Sequence, residues 1–381
     1  MSFNNKIYLD YNATTPIDPQ VLQAMLPIYS ENFGNPASEH CFGKAAVELV
    51  DAARQQIARF INASQREIIF TSGATESCNL AIKGVAKAYY SKGKHIIVST
   101  VEHKAVLEPC KRLATEGYEL TILQPDSNGQ ISAEQVADAI NRNTILVCVM
   151  MANNVVGTIN PVEQIGQLCR KRGVVFFCDA TQAAGKMPID VEQMNIDLLA
   201  MSAHKIYGTK GIGCLYVKQK KPRVKLVCQN DGGGQEYGYR SGTLNVPGIV
   251  GFGAACEMSE RSLTDEAAKI KKLRDKFEKE LLANIPDIII NSAKAPRLPN
   301  TSNILFKGIE AAVLLKNIPD IAASSGSACD AGGADASYVL TAMGISNELA
   351  KTSIRFSLGR FTTEQEINTA VQQIKNVVLG L

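Results

Sequence analysis

An α/β fold, with a mainly parallel, helix-covered sheet in a large domain and a smaller α+β domain beside it, is what this sequence predicts. Three observations carry that reading. Short apolar runs alternate with longer segments of helical period up to about residue 260. Beyond Leu263 the pattern turns to one charged amphipathic helix followed by isolated strands. With 381 residues, 45% of them hydrophobic, the chain can bury one large core and a second, smaller one.

The elements follow in order. "EIIF" precedes "TESCNLAIKGVAKAYY", "HIIVST" precedes "EHKAVLEPCKRLATEG", "TILVCVMM" precedes "PVEQIGQLCRKRG", and "VVFFCDA" comes next. Four-to-eight-residue apolar runs between helical stretches read as buried parallel strands, and such sheets bind ligands at the carboxyl ends of their strands. From Leu263 a stripe of Leu263, Ala267, Ile270, Leu273, Phe277 and Leu281 marks one helix, broken at "NIPD". "TSNILF" and "SIRFSLG" then read as strands of the second domain. No internal repeat or low-complexity linker separates the two, so they are expected to pack together.

Charge and cysteine usage exclude several classes. Forty Lys and Arg against 37 Asp and Glu give a formal charge of +3, too balanced for an electrostatic grip on nucleic acid or on an anionic membrane. The opening "MSFNNKIYLDYNATTP" lacks the basic, then apolar, then small-residue order of a signal peptide, and no apolar run reaches membrane length. A soluble, cytoplasmic protein is expected. The ten cysteines form no Cys-x-x-Cys and the four histidines are not at metal-ligand spacing from them, so no metal site is expected. Most of these cysteines sit in apolar runs and read as small core residues; Cys329, within "IAASSGSACDAGGADAS", does not.

Three features fall at strand ends. "VVFFCDA" carries Asp179 to the end of a buried strand, where a lone carboxylate needs a cationic partner. "LLAMSAHK" delivers His204 and Lys205 to another strand end. "EIIFTSGATES" runs from a strand through small residues into a helix start, where free N–H groups and the hydroxyls of Thr71, Ser72 and Thr75 would suit a phosphate. A lysine, a buried carboxylate and a phosphate cradle on one sheet edge suit pyridoxal phosphate, with the lysine bonded to the cofactor and the aspartate on its ring nitrogen. Each piece alone has an ordinary alternative: a surface lysine, a turn or helix-cap aspartate, a capped helix start.

At these residues a family resemblance enters. "YLDYNATTP", "FGNPAS", "FTSGATES", "EHKAV", "DATQAAGK", "SAHKIYGTKGIG", "YRSGT", "SSGSAC" and "SIRFSLGRFTTEQEI" closely resemble the cysteine desulfurases of the NifS/IscS type along essentially the whole chain. The resemblance implies a fold-type-I pyridoxal-phosphate enzyme with a seven-stranded-type sheet, a homodimer, taking sulfur from L-cysteine to leave L-alanine and a persulfide for an iron–sulfur cluster scaffold or a thiolation partner. It implies a large domain over residues 16–260, and a small domain of residues 1–15 and 261–381 holding the catalytic cysteine and a substrate-binding arginine. By the same resemblance Lys205 is the Schiff-base lysine, Asp179 the partner of the ring nitrogen, Gln182 the donor to the ring phenolate, and His103 the residue stacked on the ring. Ala74, Thr75, Ser202 and His204 match the phosphate binders, and Thr243 reaches the phosphate of the neighbouring subunit. Asn154 and Arg355 take the substrate carboxylate, a task suited to a guanidinium. Alone, Arg355 would read as a surface ion-pairing residue and His103 as a helix-start residue satisfied by its backbone.

Cys329 is the nucleophile by this resemblance. The small residues around it predict a mobile loop, which a sulfur carried from the cofactor to an acceptor requires. The sequence departs from the family pattern at Val155, where Glu is usual, at Tyr237, where Arg is common, and at Asp330, where Ser or Thr follows the cysteine. These leave every catalytic group in place and bear on the acceptor and on the rate at which Cys329 works, since a neighbouring carboxylate disfavours the thiolate. Other readings compete. A selenocysteine or cystine lyase or an aminotransferase would share the sheet-edge residues without needing Cys329, and a non-catalytic sulfur-carrier scaffold would keep the fold alone. "GFGAAC" is a weak dinucleotide signal without its third glycine, and no phosphate-loop motif is present.

Overall fold

The computed structural model describes residues 6–325 and 336–380, so Cys329 and Asp330 lie outside the described residues. Its strands are β1 (Ile7–Tyr8), β2 (Ile68–Thr71), β3 (His95–Ser99), β4 (Glu119–Leu123), β5 (Thr144–Cys148), β6 (Val175–Asp179), β7 (Leu198–Ser202), β8 (Gly213–Val217), β9 (Ile288–Asn291), β10 (Thr301–Phe306), β11 (Ile321–Ala322) and β12 (Ser353–Ser357). Seven of them form one sheet in the order β2-β8-β7-β6-β5-β3-β4. Its pairs are parallel except those of β8, which runs antiparallel to both β2 and β7. The predicted α/β class with a mainly parallel sheet is therefore found.

The strand alternation explains why these runs read as unbroken apolar stretches. Phe176 and Phe177 are neighbours in β6, yet one enters the core on one face of the sheet and the other enters the core on the opposite face. A parallel strand covered by helices on both sides has no solvent-facing register, so the period of two disappears from its hydrophobicity.

A third core lies around the antiparallel sheet β12-β10-β9. Here the structure corrects the sequence reading. The helix expected from Leu263 begins at Val246 and runs unbroken to Asn284, through residues 260 and 261. Its Ile249, Phe252 and Cys256 join the core of the large sheet, while Ile270, Leu273, Phe277 and Leu281 join the third core. "GFGAAC" is part of this helix, and a Cβ at Gly253 would stand 2.7 Å from the Ala53 Cα. Its glycines serve helix packing, and the dinucleotide reading falls.

The N-terminal segment crosses between the two sheets. β1 pairs with β11, and Asp10 bridges to Ser357 at the end of β12. Seven of the nine described cysteines are buried; Cys41 is exposed. Among the described residues no helix is long and apolar enough to cross a membrane, and no group of side chains could hold a metal ion.

Candidate active site

A cavity of about 490 Å³ opens at the carboxyl ends of β2, β6 and β7. Nearly every residue singled out from the sequence lines it: Ala74, Thr75, His103, Asn154, Asp179, Gln182, Ser202, His204, Lys205 and Arg355. Thr243 does not. It is exposed on a different face of the chain, beside Arg54 and Tyr237.

The phosphate-type turn is built locally. β2 ends at Thr71, and the helix Ala74–Ala88 starts three residues later behind Gly73, which caps it without any side-chain bond and so leaves its first amides available. Gly213, at the start of β8, runs so close beneath this turn that a Cβ there would stand 2.7 Å from the Gly73 Cα. The Thr71 hydroxyl is turned inward, 3.1 Å from the Gly73 carbonyl and 2.8 Å from the Ser77 hydroxyl, and does not line the cavity. Ser72 and Thr75 do.

Asp179 terminates β6 at 4% exposure, and its Oδ1 accepts the Thr181 N–H at 2.9 Å. His103 caps the helix Lys104–Thr115, its Nδ1 accepting the Ala105 N–H at 3.1 Å. It is thus both the backbone-satisfied helix-start residue that the sequence allowed and a wall of the cavity. His204 bonds the Thr14 hydroxyl through Nδ1 at 3.1 Å. Burial, and then the charges of Lys205, Lys210 and Lys186, push its imidazolium down to about 4, so the ring is neutral at physiological pH.

Asn12, which the sequence reading did not single out, is the hub of the site. Its carbonyl accepts both the Lys205 Nζ at 2.5 Å and the Gln182 Nε2 at 2.9 Å, while its own Nδ2 donates to the Asn154 carbonyl and to the Thr301 hydroxyl. Lys205 Nζ also donates to the Ala13 carbonyl at 2.7 Å. Asp10 was missed in the same way. It accepts from Arg355 Nη2 at 2.7 Å while Nη1 donates to the Asn154 carbonyl at 3.0 Å, which fixes a guanidinium only 4% exposed. The one available signal was "YLDYNATTP", a motif with no assigned role in local secondary structure.

Four buried polar atoms on these walls have no partner among the described residues: Asn154 Oδ1, Thr181 Oγ1, Gln182 Oε1 and Arg355 Nε. Buried polar groups are normally satisfied, so their convergence marks a place for a polar ligand. Gln182 has a second amide hydrogen to give, as contact with a phenolate oxygen would require.

The chain matches the model of the aminotransferase class-V family over residues 7–369. It is 51% identical over 376 residues, 98% of this chain and 93% of the other, to a cysteine desulfurase, IscS, of Anaeromyxobacter sp. strain Fw109-5. Among solved structures, a NifS-like protein superposes with a TM-score of 0.92 at 36% identity, over 99% of this chain and all of the other. A structure of SspA in complex with cysteine superposes with a TM-score of 0.83 at 38% identity, over 94% of this chain and all of the other.

Proposed function

This chain belongs to the class-V aminotransferases and, within them, to the cysteine desulfurases of the IscS/NifS type, and from that premise of a pyridoxal-phosphate-dependent desulfurase we propose how its residues divide the work. The four unpartnered buried atoms of residues lining the cavity, together with a lysine and a carboxylate at adjacent strand ends, carry the reading. Lys205 would hold the cofactor through Nζ, Asp179 would keep the ring nitrogen protonated, Gln182 would donate to the phenolate oxygen, and His103 would stack on the ring. Ala74, Thr75, Ser202 and His204 would hold the phosphate, joined by Thr243 of a second copy in a homodimer. When bound, the cofactor acts as the electron sink for the substrate's α-carbon. Asn154 and Arg355 would fix the carboxylate of L-cysteine, the amino acid named with the related SspA structure.

Cys329 is the proposed nucleophile. Its thiolate attacks the substrate sulfur, the Cβ–S bond breaks with its electron pair left on carbon, and a proton taken up there gives L-alanine and a persulfide on Cys329. Two anchors support this role. Ser324 exchanges backbone hydrogen bonds with Arg355, 2.7 Å and 3.1 Å, and Tyr338 donates to the carbonyl of Glu102, the neighbour of His103, at 2.6 Å. Cys329 follows Ser324 by five residues in the sequence. The persulfide then passes to a protein acceptor in the cytoplasm, an iron–sulfur scaffold or a thiolation partner.

Two variants test the assignment together. Lys205→Ala is expected to lose both the visible absorbance of the bound cofactor and all turnover. Cys329→Ser is expected to keep that absorbance and its response to L-cysteine but make almost no alanine. A Cys329→Ser protein that releases alanine at the wild-type rate would point instead to a lyase or an aminotransferase of the same fold.

A further inference from the structure

Outside the cavity, the most unusual group of side chains surrounds Arg54. This arginine sits in the middle of the helix Cys41–Phe60 among Val50, Ala53, Ile57 and Ala58, and is only 4% exposed. A cation there needs acceptors, and its terminal nitrogens have them while its Nε has none among the described residues. Its two terminal nitrogens grip Glu236 at 2.8 Å and 2.7 Å, and one of them also donates to the Ile68 carbonyl at 2.6 Å. Glu236 Oε2 in turn accepts the Phe70 N–H at 2.7 Å.

Ile68 and Phe70 belong to β2, the edge strand of the large sheet. The ion pair therefore takes the place of the missing neighbour strand, giving one edge carbonyl its donor and one edge amide its acceptor. This same strand feeds Ser72–Thr75, the phosphate turn. On its other side the pair fixes a strained segment: Glu236 and Tyr237 are consecutive non-glycine residues at φ 49° and 58°, a conformation that persists only when surroundings impose it. The Arg54 guanidinium lies 5.5 Å from the centre of the Tyr237 ring. Further along, Arg240 donates to Glu76 Oε1 at 2.8 Å while Glu76 Oε2 accepts the Ser72 N–H at 2.7 Å. The segment that ends at Thr243 is thus tied to the phosphate turn at two points.

We propose that Arg54 and Glu236 form a positioning clip for cofactor binding, setting the phosphate turn of their own chain and the Thr243 segment offered to the second subunit in one rigid piece. The second half rests on the cross-subunit reading of Thr243. The test is the rate at which the purified holoenzyme loses visible cofactor absorbance during extensive dilution, with the melting temperature recorded alongside. A buried ion pair can be replaced by apolar residues without loss of stability. Arg54→Met/Glu236→Leu leaves no unpaired charge but does leave the Ile68 carbonyl and the Phe70 amide without partners, so it is expected to melt a few degrees below the wild type and, well below that temperature, to lose cofactor about tenfold faster, a tenfold change being a modest loss of binding free energy. Thr243→Ala should also lose it faster, and the triple variant no more than about twofold faster than the double, because the two act through one segment. Glu236→Gln, which keeps an acceptor for Phe70, should move in the same direction even if the double variant folds poorly. A double variant that retains cofactor like the wild type overturns the clip. Wild-type retention in Thr243→Ala, with fast loss in the double variant, removes the cross-subunit reading and leaves the clip acting through its own phosphate turn.

Discussion

Two buried arginine–carboxylate pairs divide this molecule by purpose. Arg54 holds Glu236 with both terminal nitrogens, and the two side chains are 5% and 1% exposed. Arg355 holds Asp10 with only one, and the side chains are 4% and 20% exposed. In the first pair both carboxylate oxygens are engaged, by the guanidinium and by a sheet-edge amide, while Arg54 Nε has no partner among the described residues. In the second, Arg355 lines the cavity and Asp10 is held by the guanidinium through one oxygen only. On the proposed roles, the same chemistry serves as a clip where both carboxylate oxygens are engaged and as a receptor where the guanidinium faces a cavity.

The largest expected effect separates the two as structure. Arg54→Met leaves Glu236 buried with its charge unpaired and should cost about 3–5 kcal/mol of stability in denaturant titration. Arg355→Met should cost clearly less, since the Asp10 side chain is already 20% exposed and can be hydrated. Equal losses would erase the distinction.

The next effect separates them as function. Arg355→Lys keeps a cation but loses the planar fork, so kcat/KM for L-cysteine should fall on the order of a hundredfold, about 2–3 kcal/mol, chiefly through KM, while melting barely changes. Arg54→Lys should show the reverse, with melting lowered and KM for cysteine little altered. A cysteine KM unmoved in Arg355→Lys breaks the receptor half of the comparison.

The smallest effect is a pH dependence that arises in the cavity at His204. His204 titrates near 6.5 when unfolded and near 4 when folded. Between those values the unfolded chain binds the extra proton, so stability of the cofactor-free protein falls as pH drops through that window. His204→Gln should flatten this acid slope and leave stability at pH 8 close to its starting value. An unchanged slope would assign the acid sensitivity elsewhere.

What the sequence determined by itself is the local half of the site. Asp179, Lys205 and the Ser72–Thr75 turn were legible because each ends or follows a run whose apolar pattern and length already state a strand, and strand ends of such a sheet are where ligands sit. The tertiary structure decided the rest. β4 and β8 gave too little signal: β4 is an edge strand and only partly buried, and β8 follows a glycine-studded loop instead of a helix and runs against its neighbours. The helix Val246–Asn284 read as starting late because its first half packs through glycine and alanine, which leave no bold stripe. Asn12, Asp10 and Arg355 came together only in space: Asp10 meets Arg355 across 345 residues of chain and Asn12 meets Lys205 across 193. No periodicity encodes such a meeting. It follows from one N-terminal segment, fixed by β1 on β11 and by Asp10 on Ser357, being laid across the seam between two sheets, and the hydrogen bonds that hold it there exist only once both sheets have formed.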